Sequence, residues 1–225
     1  LAAQLPHGAF VMVANHPTLV DVCVLLAARP EMRCIVKSKL FRLPAVGPLL
    51  RMCGHIETAN ETNGTARVME DAARGLAAGD PLLFFPEGTR SPELGLGRFR
   101  RGGFEIACRA GLPVVAVLLR CEPPVLAKSA PWYRAPPTVP RLSLSILQSV
   151  DPSTWHHRGK PMAKAVFDAY AAALGLELGA EANTATEQFW HFLVLGLLFP
   201  FLSSLLECQM MFGRCWMLTC AGFTP

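Results

Sequence analysis

His16 and Asp21 are the first residues of this chain whose types and spacing suit a reaction. They lie in the stretch VMVANHPTLVDV, Val11 to Val22, five residues apart where two apolar runs meet. With the first run as a strand, His16 falls at the strand's C-terminal end, where open α/β sheets place their sites. With the second run as a helix, Asp21 can fold back toward the imidazole. A carboxylate on one ring nitrogen fixes the tautomer and stabilises the imidazolium. The other nitrogen is then free to take a proton as a general base. This is the base and orienter of a catalytic triad without its serine, so the nucleophile it implies is a hydroxyl carried by a substrate. Backbone N–H groups at the helix start would suit a developing oxyanion. The same residues also fit a plain helix-start cap, Thr18-x-x-Asp21, with the acid near the positive helix end and His16 bonded to backbone.

The elements that would position this pair can be read from the apolar runs. Ala9–Ala14 reads as a buried strand, and Pro17-Thr18 opens a helix through about Ala28. Cys34–Val36 reads as a second strand, while Pro44, Gly47 and Pro48 should break Lys39–Met52 into short turns or helices. Thr65–Ala78 is the clearest helix, followed by a buried strand at Pro81–Phe85 and a loop at Pro86–Pro92. Gly103–Ala110 is a helix ended by Gly111, and Val114–Leu119 another buried strand. The proline-rich Glu122–Pro140 reads as ordered loop. Arg141–Val150 alternates as an edge or half-exposed strand should, and Lys160–Leu174 as an amphipathic helix. Strands alternating with helices argue an α/β fold, a largely parallel central sheet flanked by helices. The expected organisation is an α/β domain over residues 1–180 and a hydrophobic tail over 181–225.

Asn15-His16-Pro17-Thr18-Leu19-Val20-Asp21 resembles the NHxxxxD motif of the glycerolipid acyltransferases, the lysophosphatidic acid acyltransferase-like family. Three further blocks follow in the family's order. Phe85–Ser91 reads FPEGTRS. Between the two, Lys39-Leu40, Pro44, Gly47 and Gly54-His55-Ile56 resemble the second block. Downstream, Phe99-x-x-Gly102 and Gly111–Val117 resemble the linker and the fourth block. The likeness runs from about Gly8 to Val150. It implies that His16 deprotonates an acceptor hydroxyl, that Asp21 orients His16, and that the hydroxyl attacks an acyl thioester with no acyl-enzyme. It implies acyl-CoA or acyl carrier protein as donor co-substrate, no cofactor, and a lysophospholipid-like acceptor, 1-acylglycerol-3-phosphate by family default. The implied substrate-binding residues are Asn15, Lys39, Glu87, Gly88, Thr89 and Arg90. A guanidinium such as that of Arg90 can contact phosphate bidentately. A local ion pair between Arg90 and Glu87 is the plain alternative, as turn chemistry is for Pro86 and Gly88. One departure stands out. Family members usually carry an arginine soon after the second block, and here Ile56-Glu57-Thr58-Ala59-Asn60 has none. The chain is also similar to a bacterial subgroup found beside aryl-polyene-type lipid gene sets, through Cys34–Ser38, Arg120–Pro124 and Pro131-Trp132-Tyr133.

Composition points the same way. The 225 residues are 52% hydrophobic and 17% charged, with net charge +4, a balance suited to a protein working at a membrane. No acid lies between Met32 and Ile56, but Arg33, Lys37, Lys39, Arg42 and Arg51 do. A second basic cluster is Arg98, Arg100 and Arg101. Such patches attract anionic head groups, and the expected location is the cytoplasmic face of an inner membrane, peripheral or anchored. Phe41, Leu43, Leu49 and Leu50 beside Arg42 and Arg51 are the candidate docking surface. Without interleaved aromatics the patches do not argue for nucleic acid. There is no GxSxG elbow, no Walker lysine and no dinucleotide glycine pattern. His156-His157 lacks ligands at metal spacing. The eight cysteines form no CxxC pair and read as buried reduced thiols, Cys23 near His16 included. The chain opens on Leu1 with no signal-peptide pattern, as a processed chain or a fragment would. In the tail, Phe189–Leu206 holds 18 residues with no charge, at the lower limit for a membrane span. Insertion into a membrane, packing on a core and a non-native extension all remain open for it.

Two other classes compete with acyl transfer. A thioesterase-like hydrolase would use His16 to activate water. A non-catalytic lipid-binding protein would have no use for a base and its orienter.

Overall fold

A computed structural model of the chain describes residues 2–58, 64–92, 95–128, 136 and 138–176. All of its elements belong to one compact unit, Leu1–Ala182. The uncharged stretch at 189–206, the cysteines Cys208, Cys215 and Cys220, and Trp132-Tyr133 lie outside the described residues.

After a 3-10 turn at Ala2–Gln4, the elements are β1 (Val11–Ala14), α1 (Asp21–Ala28), β2 (Arg33–Val36), α2 (Ser38–Phe41), α3 (Val46–Met52), β3 (Ile56–Glu57), α4 (Gly64–Ala77), β4 (Leu82–Phe84), α5 (Gly102–Ala110), β5 (Val114–Glu122), β6 (Arg141–Val150) and α6 (Gly159–Leu174). A second 3-10 turn, Pro152–Trp155, precedes α6. The sheet runs β3-β2-β4-β1-β5-β6. Every pair is parallel except β5 with β6. The α/β class with a mostly parallel sheet is therefore as the element pattern implied.

β1 lies between β4 and β5, with Val11 beside Leu82 and Val114. A central strand buried on both faces reads as an unbroken apolar run, and all four of its residues are fully buried. Alternate residues serve the two faces. Val11, Val13, Leu82, Phe84, Val114 and Ala116 pack under α4, α5 and α6. Phe10, Met12, Leu83, Val115 and Val117 face the other way, toward Leu5 and Leu25 of α1. β6 is the antiparallel edge, its leucines half-buried and Ser143 and Ser145 exposed. β5 runs three residues past the expected Leu119, because β6 pairs with it out to Glu122.

Three expectations need correction. α1 begins at Asp21, not at Pro17-Thr18, because the Asp21 side chain turns back onto Thr18 and holds residues 18–21 in a turn. Cys23 and Cys53 are exposed, whereas Cys34, Cys108 and Cys121 are buried. Asp21 and Leu25 are the residues α1 buries, so Cys23, midway between them, points outward. Burial pushes the Cys34 thiol up to about 12, which makes it inert. In the expected docking surface, Phe41 is buried under the guanidinium of Arg51, which also donates to the Phe41 carbonyl at 2.9 Å. The exposed apolar side chains there are Leu49, at 42%, and Met52, at 81%. Among the described residues, no helix is long and apolar enough to cross a membrane.

Candidate active site

The site forms where β1 and β4 end beside β5, which runs on past them to Glu122. Asn15 continues β1 by one residue with its side chain. Its amide nitrogen donates to the Leu119 carbonyl at 2.9 Å, and its oxygen accepts from the Leu119 N–H at 2.7 Å. The last backbone pair of this ladder is Ala14 with Val117, so the amide supplies the next rung between the strands. Asn15 is 3% exposed and has one donor and its acceptor engaged in that rung. The buried hydroxyl of Tyr170 in α6 lies 2.8 Å from the carbonyls of both Val13 and Val117. Its single proton serves one carbonyl at a time. Burial pushes this phenol well above its usual range.

His16 follows directly. Its Nδ1 lies 2.9 Å from Asp21 Oδ2. The same oxygen accepts the Thr18 N–H at 2.7 Å, and Oδ1 accepts the Thr18 hydroxyl at 2.5 Å. These bonds close the turn at 18–21 ahead of α1, whose N-cap Val20 makes no side-chain cap bond, so the carboxylate that orients the ring also holds the turn. With Nδ1–H donated to an acceptor-only carboxylate, Nε2 is left as the basic nitrogen. The ring is stacked on Phe85, centroids 4.4 Å apart, and the side chain keeps 12% of its exposure. The N–H groups of Thr18 and Val20 are taken up within the turn, by Asp21 and by the Thr18 hydroxyl. The oxyanion donors expected at the helix start therefore do not include these two.

The FPEGTRS block is the loop after β4. Ser91 joins it to His16 in both directions. The His16 N–H donates to Ser91 Oγ at 3.1 Å, and the Ser91 N–H donates to the His16 carbonyl at 2.7 Å. Glu87 is buried. Its Oε1 accepts the Ser91 hydroxyl at 2.5 Å and its Oε2 the Gly97 N–H at 2.7 Å. Burial raises this carboxyl above its ordinary value, and the donors from Ser91, Gly97 and the His16 backbone offset part of the rise. Gly88 adopts φ +65° with the Arg100 side chain against it, so a Cβ there would be strained and crowded. Thr89 is half-buried beside it. Arg90 turns Nη1 to the carbonyls of Leu126 and Ala127, at 2.6 and 3.0 Å. Burial lowers its pKa, and the charge of Asp21 opposes that shift.

Of the residues singled out from sequence, His16 and Asp21 touch, and Glu87 reaches His16 through Ser91. Asn15 borders them with its amide committed to β5. Arg90 lies within electrostatic reach of Asp21. Lys39 is exposed on α2 and has no hydrogen bond or ion pair among the described residues. Sequence reasoning did not single out Ser91, Phe85, Gly97 or Tyr170. Ser91 and Phe85 lie within the FPEGTRS block, but nothing in their spacing from His16 marks a contact 75 and 69 residues away along the chain. Among the described residues, no group of three or more His, Cys, Asp or Glu side chains is arranged to hold a metal ion.

Fold and site together define an α/β domain carrying a histidine–carboxylate pair at the C-terminal edge of a parallel sheet. Residues 2–120 match the family described as Acyltransferase, and the chain belongs to it. A 1-acyl-sn-glycerol-3-phosphate acyltransferase of Chlamydomonas reinhardtii is 32% identical over 115 residues, covering 51% of this chain and 35% of that protein. The 1-acyl-sn-glycerol-3-phosphate acyltransferase alpha of Mus musculus is 27% identical over 167 residues, 64% of this chain and 58% of that one. The crystal structure of the 1-acyl-sn-glycerophosphate acyltransferase PlsC from Thermotoga maritima superimposes with TM-score 0.63 at 24% identity, covering 82% of this chain and 72% of that one, a likeness of fold. The chain spans about a third of the length of its algal and plant relatives.

Proposed function

We propose that this protein is an O-acyltransferase that moves a fatty acyl group from a thioester to the hydroxyl of a lysophospholipid, with 1-acylglycerol-3-phosphate as the default acceptor. The observation that carries the mechanism is the His16 Nδ1 to Asp21 Oδ2 contact of 2.9 Å at the sheet edge. It leaves Nε2 to take the acceptor's proton. The freed oxygen attacks the thioester carbonyl, the C–S bond breaks, and the imidazolium returns its proton to the leaving thiolate. No residue of the chain is acylated. Acyl-CoA and acyl carrier protein are the two donor forms to be compared. The names of the relatives support the acceptor class, and in this reading the half-buried Thr89 and Arg90 of the FPEGTRS block bind the acceptor.

The acceptor and product are both lipids, so the protein works at an anionic membrane surface, at the cytoplasmic face. The docking element in this reading is α2–α3. Leu49 and Met52 are exposed there, Arg42 beside them is exposed, and no acid occurs between Met32 and Ile56. Apolar insertion and headgroup attraction then act on one face.

The test is thiol release from acyl-CoA and from acyl carrier protein, with and without a panel of lysolipids, for wild type and His16→Ala. Acceptor-dependent release that disappears in the variant is the expected result. Release that ignores every acceptor would mean hydrolysis. Lipid binding with no release, undiminished in His16→Ala, would mean a non-catalytic lipid-binding protein.

A further inference from the structure

We propose that Ser91, aimed by Glu87, is a positioning residue that sets the placement of the His16 imidazole, and that neither side chain is an acceptor contact. The inference rests on the acyl-transfer reading above for its kinetic arm only. An imidazole that moves a proton has to be held to a fraction of an ångström, and misplacement by about 1 Å can cost ~100-fold in rate. Asp21 holds one ring nitrogen, but a single hydrogen bond to the ring leaves the backbone beneath it free to shift. Ser91 removes that freedom. The N–H and the C=O of His16 are both bonded to Ser91, one through the hydroxyl and one through the backbone.

The hydroxyl can accept the His16 N–H in that direction only if its own proton points elsewhere. Glu87 Oε1, at 2.5 Å, takes that proton. The other oxygen is fixed by the Gly97 N–H, and a Cβ on residue 97 would stand 2.8 Å from it. Glycine is thus what lets the backbone approach the carboxylate. The chain of contacts runs Gly97 to Glu87 to Ser91 to His16, without a break and with every distance at hydrogen-bond length. Glu87 and Ser91 are 5% and 6% exposed. With each oxygen bonded inside the fold and only 5% of the residue exposed, Glu87 is poorly placed to meet a lysolipid.

The experiment uses the full chain, with Ser91→Ala, Ser91→Thr and Glu87→Gln beside wild type. Four quantities are read: kcat and acceptor KM with lysophosphatidate, the proton resonance of the His16 Nδ1–H shared with Asp21, and the melting temperature. Ser91→Ala is expected to lower kcat by roughly 10- to 100-fold with acceptor KM within about twofold, and to shift or broaden the imidazole resonance. Ser91→Thr keeps the hydroxyl and should restore most of the rate and the resonance. Glu87→Gln presents an amide N–H to one of the two donors and should fall between them. A loss of fold strength alone would move the melting temperature and leave kcat and the resonance of the folded protein in place, which would overturn the proposal. So would a raised KM at unchanged kcat, the mark of an acceptor contact. Where Ser91→Ala does not fold, Glu87→Gln and Ser91→Thr decide by the same readouts. Where wild type transfers no acyl group, the acyl-transfer reading fails, and the resonance alone still tells whether Ser91 positions the ring.

Discussion

Replacing Asn15 with alanine separates two meanings of the first residue in the NHxxxxD block. Its family resemblance implies substrate contact, whereas its geometry here is that of a rung between β1 and β5. The side chain makes two buried bonds, of 2.9 and 2.7 Å, to the carbonyl and N–H of Leu119, itself 1% exposed. Truncation leaves both backbone groups without that partner, at about 1–3 kcal/mol each. Water entering the gap recovers part of this, so a net loss of about 2–4 kcal/mol is expected. That is a large share of a stability of ~5–15 kcal/mol. At roughly 2–4 °C per kcal/mol for a domain of this size, the melting temperature should fall by about 5–15 °C.

The assay is thermal unfolding beside acceptor kinetics on the same preparation. Because His16 is the next residue, kcat should fall too, while KM for the lysolipid stays within about twofold. Asn15→Asp sharpens the test. It keeps the shape but sets a carboxylate oxygen against the Leu119 carbonyl, so it should be at least as unstable at neutral pH and recover on acidification, when the protonated acid can donate. A melting temperature unchanged to within ~1 °C with a tenfold higher acceptor KM would refute the reasoning and return Asn15 to the substrate.

Three other outcomes follow from the same geometry. Asp21→Asn puts an amide where His16 Nδ1 now donates and favours the wrong tautomer, so acceptor-dependent thiol release should drop by on the order of 10³- to 10⁴-fold. Glu87 has its carboxyl raised above 4.5 by burial, so the folded chain retains a proton that the unfolded chain releases. Its contribution to stability is full below about that pH and is lost as pH rises through the window up to the folded value; in Glu87→Gln the urea midpoint should change less across the same window. Leu49→Asp with Met52→Asp should weaken co-sedimentation with anionic vesicles while leaving the rate on dispersed short-chain substrate, and unchanged binding would remove α3 as the docking element. Arg42→Glu is the matching charge variant. Arg51 is a poorer choice, since its guanidinium also holds the Phe41 carbonyl and ring.

Much of the sheet was legible because its strands are buried on both faces. Val11–Ala14, Leu82–Phe84 and Val114–Leu119 are unbroken apolar runs, and the alternation of Arg141–Val150 marked an edge. β3 escaped notice because two residues, Ile56-Glu57, carry no period. The start of α1 was misplaced by the signal that should have located it. Thr18-x-x-Asp21 reads as a cap, and the acid does bond Thr18, but the helix begins three residues later. For the docking surface, residue type could not tell Phe41 from Leu49. Only the packing of Arg51 over one of them decides which is exposed.

In the site the boundary between legible and hidden follows sequence separation. His16 and Asp21 are five apart, and their contact could be read from that local spacing, although a turn and not a helix makes it. Asn15 meets Leu119 across 104 residues, Ser91 meets His16 across 75, and Tyr170 meets Val13 across 157. Each of those contacts exists only because the order β4-β1-β5 sets the ends of β1 and β4 beside β5, with α6 over them. The same order explains why so few of the site's polar groups face outward. One imidazole must be steady, and each bond to its own segment restrains one motion. Asp21 and Phe85 restrain the ring, Ser91 the peptide units on either side, and Asn15 the strand end that carries it. Residues that never meet a substrate should therefore govern the rate as strongly as residues that do. Glu87 should affect kcat more than the exposed Lys39, although both belong to blocks with the same family likeness.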